Sequence, residues 1–157
     1  METKITNCIA AEKAVRDVMY GLDHEEVWGL FLNTDNTVIS REMLSKGTLT
    51  QTSIDNRTVI KRALMNNANA VIILHNHPSG NLKPSVEDIK TTDRMIKAYD
   101  MLGMSVLDHI ILGPDSRFYS MKEHDVFGLP CTEYCAVLED LEFSPLKQPS
   151  RNRDDAR

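Results

Sequence analysis

The sequence contains only three cysteines, Cys8, Cys131 and Cys135, among 157 residues. So sparse and odd a set cannot build the disulfide framework of a small secreted domain, and it fits a reducing cytosol. No apolar run approaches the roughly 20 residues that a membrane-spanning helix needs. The start, Met1 to Asn7, lacks the basic segment and apolar stretch of a secretory leader. A basic block is missing too, and the formal net charge is -5. Nucleic-acid affinity rests largely on neutralising phosphates, so this chain could find it only in a local patch. Arg57, Lys61 and Arg62 are the best such group, and they read more simply as a solvated helix face. There is no internal repeat. What remains is a soluble cytoplasmic protein, long enough for one domain around a single core.

The apolar pattern alternates between helix and strand periods. Residues 9–21 carry Ala11, Val15, Val18 and Met19 on one helical face, with Gly21 as a stop. Val27 to Leu32 reads as a central strand. Asn33-Thr34-Asp35-Asn36 has turn chemistry, and the chain returns from Thr37 toward Gly47 as the second arm of a hairpin. Residues 52–57 offer several helix caps, after which Val59, Ile60, Ala63 and Leu64 recur at helical spacing as far as Asn66 and Asn67. Ala68 to Leu74 is the next strand. A helix from Ser85 to about Leu102 has Ile89, Met95, Ile96, Tyr99 and Met101 as expected inward positions. Ser105 to Leu112 and Arg117 to Met121 complete the strands. Strands alternating with helices, plus one hairpin, predict an α/β fold with a mixed β-sheet packed by helices. The domain is expected over residues 1–125, with a C-terminal extension over 126–157. That extension holds a short amphipathic helix at Ala136–Leu141, and its polar, proline-containing end from about Ser144 is expected to be disordered.

Chemistry concentrates in residues 71–88. The apolar run Val71–Leu74 delivers His75 and His77, whose side chains point the same way because strand side chains alternate. Pro78-Ser79-Gly80 turns the chain, and Ser85 opens a helix with Asp88 in its first turn. Two imidazoles and a carboxylate can then converge on one point. Three protein ligands and a water make a catalytic zinc site, whereas structural sites close all four positions with protein. Ser85-Val86-Glu87-Asp88 also has the shape of a capping box, a role that does not exclude the other.

His75-x-His77-Pro78 followed after seven residues by Ser85-x-x-Asp88 resembles the signature of the JAMM (MPN-plus) metalloproteases. The words His-Asn-His-Pro-Ser-Gly, Pro84-Ser85 and Leu107-Asp108-His109-Ile110-Ile111 resemble the RadC branch of that family, and the likeness runs from about Thr6 to Tyr119. The resemblance implies a mixed sheet packed by helices, related to the cytidine-deaminase arrangement. It implies Zn2+ held by His75, His77 and Asp88, with Ser85 assisting the oxyanion and an upstream glutamate as general base. Glu26 stands relative to Trp28 and Leu32 as the family's glutamate does, with Glu25 its rival. The implied activity is hydrolysis of a peptide or other amide substrate, with an association with DNA repair as a process. Full-length relatives carry a helix-hairpin-helix region for DNA, for which these residues hold no counterpart. The alternative from another class is a non-catalytic or DNA-associated accessory module that retains zinc for stability.

Other residues carry weaker signals. Asn76 and Ser79 read as supports for the turn, His109 as a packing or supporting residue, and His24 and His124 as surface. Pro130-Cys131-x-x-x-Cys135 misses the zinc deaminase half-motif by one residue, and His75-Asn76-His77 has no glutamate where that chemistry needs one. The two cysteines are expected to be ordinary thiols.

Overall fold

The computed structural model describes residues 2–47 and 54–127. The readings made for Ala136–Leu141, Cys131, Cys135 and the residues from Ser144 onward lie outside the described residues.

Strand β3, Ala70–Asn76, is buried at every position. A strand apolar on both faces needs cover on both sides, and that requirement sets the layers. Around it the sheet runs β2-β1-β3-β4-β5, with β1 at Glu26–Leu32, β2 at Val38–Lys46, β4 at Ser105–Leu112 and β5 at Phe118–Ser120. Neighbours pair antiparallel except β3 and β4, which are parallel. Their crossover is helix α3, Val86–Met101, as a parallel connection requires. Among the described residues the fold is thus a mixed α/β sheet with three helices.

One face of the sheet presents Leu30, Leu32, Ile72, Leu74 and Ile110 to α1, Cys8–Met19, which inserts Ala11, Val15 and Met19. The other presents Val27, Phe31, Val71, Ile73 and Ile111 to α2, Asn56–Met65, and to α3. Each helix starts on a polar cap: Asn7, Asp55 and Ser85. Gly21 and Gly103 adopt φ near +70°, the left-handed geometry that stops α1 and α3 cheaply only with glycine. Asn36, at φ 65°, closes the β1–β2 hairpin.

Elements and ends agree with the sequence pattern to within about two residues, but three side chains do not. Met101 is 89% exposed. It follows Tyr99 by two residues, about 200° round the helix, so the two cannot face the same core. Leu64 is likewise exposed, and α2 buries only Val59 and Ala63. His124 is buried rather than on the surface: the turn after β5 folds back, placing its ring on Tyr119 with 3.9 Å between centroids. Its Nδ1 lies 2.9 Å from Ser120 O. Thr92, unremarked in the apolar pattern, is fully buried on α3.

Candidate metal centre

The pairing register decides which residues reach the end of β3. His75 lies opposite Val27 on β1, and His109 on β4 lies beside Ile73. Residues paired this way share a face, so His75 and His109 both point toward α3. Beyond the strand, His77 N donates to Leu112 O at 2.8 Å, which keeps the chain against β4 for one more residue. Gly80, at φ +81°, then turns it away. The loop returns to Ser85, and the first turn of α3 carries Asp88 back over the strand end.

Three ligand atoms meet there. His75 Nε2 is 2.8 Å from His77 Nε2 and 3.7 Å from Asp88 Oδ1, and His77 Nε2 is 3.9 Å from Asp88 Oδ2. Donors about 2.0–2.1 Å from a tetrahedral ion sit about 3.3 Å from one another. The observed separations bracket that value, so the residues fit a metal ion. Among the described residues this trio is the one group of three such side chains that could hold an ion. Ser85 and Asp88 also form the capping box: Asp88 N donates to Ser85 Oγ at 3.0 Å, and Ser85 N to Asp88 Oδ2 at 2.8 Å. The cap and the ligand are one device, since the cap orients the carboxylate.

The electrostatics suit ligation. Burial pushes the His75 pKa down to about 3 and that of His109 down to about 4, so both rings are neutral at pH 7. Burial works against ionising Asp88, but His75, His109 and the hydrogen bonds from Ser85 outweigh it and hold the carboxyl below its ordinary range. His77 Nδ1 lies 2.6 Å from Asn81 O, so this nitrogen carries the ring hydrogen and Nε2 faces the site bare.

These shifts set an expected pH dependence for metal-free protein. Unfolding returns both buried histidines to values near 6.5, so the unfolded chain binds more protons below that pH. Stability present above pH 6.5 therefore drains as pH falls toward 4, by about 1.4 kcal/mol per pH unit for each ring. Asp108 opposes this, because burial raises its carboxyl to about 6 and its contribution is lost as pH rises from about 4 to 6. Two rings outweigh one carboxyl. Chelator-treated protein should show a lower urea midpoint at pH 5 than at pH 7, and equal midpoints would contradict the burial of neutral histidines.

The two glutamates part company. Glu25 lines the cleft of about 390 Å³ that holds the trio, together with Lys83, Ser85 and Glu87. Glu26 is not on its lining. It shares the face of Trp28, toward α1, and its carboxylate accepts from Trp28 Nε1 at 2.9 Å and meets His24 Nε2 at 2.8 Å. The expectation that alternation would keep Glu25 off the histidine face is reversed, because His75 pairs with Val27 and Glu25 is two residues from Val27. Ser85 stands at the cleft as expected. His24 is half-buried at the surface, between Asp23 and Glu26. Asn76 is structural: its side chain accepts from Glu26 N and donates to His24 O, both at 2.8 Å, clamping the entry of β1 to the end of β3. Ser79 lines the cleft and accepts from Asn81 N at 3.3 Å.

The Asp108-His109 pair splits across the sheet for the same reason of alternation. His109 packs behind His75, their Nε2 and Nδ1 atoms 2.7 Å apart. Asp108 faces the other side, where it accepts from Ser120 Oγ, Lys122 N and His109 N and ties β4 to β5 and the following turn.

This geometry coincides with a family match. A model described as a RadC-like JAB domain matches residues 5–126. The chain belongs to the RadC-like JAB-domain family. Among its relatives, a UPF0758 protein of Desulforudis audaxviator is 43% identical over 113 residues, covering 72% of this chain and 49% of that protein. One from Staphylococcus haemolyticus is 43% identical over 126 residues, 80% of this chain and 55% of the relative. One from Finegoldia magna is 48% identical over 100 residues, covering 64% and 45%. The chain thus spans about half the length of these RadC-like relatives. Among the described residues no helix is long and apolar enough to cross a membrane.

Proposed function

We propose that this RadC-like domain is a zinc-dependent hydrolase of amide or isopeptide bonds. The observation that carries the reading is an open set of two imidazoles and one carboxylate in a cleft that two glutamates, Glu25 and Glu87, also line. Two nitrogens and an oxygen suit zinc, and three protein ligands leave a position for water or substrate. Bound there, zinc supplies Lewis acidity and lowers the pKa of a coordinated water to about 7.

The chain's own residues do the rest. Of the two glutamates on the cleft wall, Glu25 would take a proton from the attacking water and return it to the leaving amine. Ser85 Oγ accepts from Asp88 N, which leaves its own hydrogen to donate to the oxyanion that develops on the scissile carbonyl. Such a donor contributes about 3 kcal/mol where it has been measured. His75 is buried at the inner end of the cleft with His109 behind it, and the low dielectric there strengthens charge interactions.

Zinc-loaded protein assayed against peptide, isopeptide and muropeptide libraries tests the reading. Cleavage that stops with chelator and returns with added zinc is expected. Zinc bound at one equivalent with no cleavage in any library would favour an accessory module, and binding of DNA that weakens steeply with salt would identify DNA as its partner.

A further inference from the structure

Three histidine rings meet at the end of β3, but only His75 and His77 face Asp88 across the cleft. His109 is fully buried behind His75, on the neighbouring strand. Its other ring nitrogen, Nδ1, lies 2.5 Å from Thr92 Oγ1 on α3, and that oxygen is 2.7 Å from the backbone carbonyl of Asp88. A chain of hydrogen bonds thus begins at the ring of one proposed ligand and ends on the main chain of another.

Its direction follows from counting hydrogens. A carbonyl only accepts, so Thr92 gives its single hydroxyl hydrogen to Asp88 O. Toward His109 it can then only accept, which places a hydrogen on His109 Nδ1. Neither nitrogen of His109 bonds a carboxylate, and an uncompensated imidazolium at full burial is costly, so the ring carries that one hydrogen. His109 Nε2 is therefore an acceptor, and the hydrogen between the two rings belongs to His75 Nδ1. The remaining nitrogen of His75, Nε2, is left bare. So is Nε2 of His77, whose Nδ1 hydrogen goes to Asn81 O. Two hydrogen-free nitrogens then face each other at 2.8 Å beside a carboxylate, an arrangement that a cation resolves.

We infer that Thr92 and His109 are positioning residues: they hold His75 in its Nδ1–H tautomer and so aim its Nε2 lone pair at the ion. The inference rests on the metal reading above, but not on hydrolysis. A hydroxyl bonding back four residues along a helix is common by itself, and a buried histidine often merely packs. The difference lies in what happens to His75 when the hydroxyl is lost. Without an acceptor at Thr92, His109 gains by moving its hydrogen to Nε2. His75 must then accept at Nδ1 and carry its hydrogen on Nε2, where it blocks ligation.

Nitrogen-15 NMR of the imidazoles in the metal-free full chain at neutral pH reads the tautomers directly. His75 and His109 are both expected as Nδ1–H forms, and a hydrogen on Nε2 of His75 would overturn the inference. Zinc affinity by chelator competition supplies the second arm. Thr92→Val should bind zinc about 10–100-fold more weakly, the usual cost of losing an outer partner of a metal-bound histidine, and Thr92→Ser should restore it. Wild-type affinity in Thr92→Val, or an equal loss in Thr92→Ser, would refute the relay. If Thr92→Val does not fold, the wild-type tautomers decide alone. A wild type that bound no zinc would remove the hydrolase reading, while the tautomer assignment would still stand or fall by itself.

Discussion

Replacing His75 by alanine is expected to reduce zinc affinity by more than about 100-fold, with the same loss for Asp88→Asn. Outer partners of metal-bound histidines are worth 10–100-fold, and a direct ligand is worth at least the top of that range. Asp88→Asn is the cleaner variant of this pair. Its amide oxygen can still accept from Ser85 N, so the capping box survives while the charge is lost. Asp88→Ala removes both roles and should cost a further ~1 kcal/mol of stability from the cap alone. His75→Ala also strands His109 Nε2 in the core without its partner, so some loss of stability will accompany the loss of metal. Metal content after dialysis, with circular dichroism to confirm folding, checks all three. Full zinc occupancy in both His75→Ala and Asp88→Asn would dismiss this ligand set.

Glu25→Gln is expected to keep fold and zinc and to lose hydrolysis by roughly 10²–10⁴-fold, the range for a positioned acid or base. The matched variant Glu26→Gln should change turnover little. Its side chain faces α1, and a Gln oxygen can still accept from Trp28 Nε1. The pair tests register as much as chemistry, because the two residues are adjacent at the mouth of β1 and a slip of one residue would exchange their faces. If Glu26→Gln were the inactive variant and Glu25→Gln the active one, the entry to β1 would have to rearrange when substrate binds. The clamp from Asn76 to Glu26 N and His24 O is what such a rearrangement would break.

Most of this architecture is legible in the sequence because its signals are local. The apolar run Val71–Leu74, the Pro78-Ser79-Gly80 turn and the Ser85-x-x-Asp88 cap each encode their own geometry within a few residues. What the chain pattern does not encode is register between strands. Glu25 and Glu26 are both plausible at a strand mouth. Only the pairing of Val27 with His75 assigns Glu25 to the cleft. The same holds for Asp108 and His109, adjacent in sequence and placed on opposite faces of the sheet. Thr92 gives no signal at all in an apolar pattern, since a threonine on a helix that alternates polar and apolar positions reads as solvated. Its burial becomes visible only once β4 brings His109 beneath it. The burial of His124 is hidden in the sequence for a related reason, because the turn that buries it against Tyr119 is set by contacts across the fold.

The proposed chemistry requires one ion between His75, His77 and Asp88. An anomalous difference map from crystals of zinc-loaded protein, recorded at the zinc edge, tests it most directly. A single strong peak is expected about 2.0–2.2 Å from His75 Nε2, His77 Nε2 and a carboxylate oxygen of Asp88, with a fourth position open to the cleft. A peak elsewhere on the chain, or a fourth protein side chain closing the coordination shell, would contradict it.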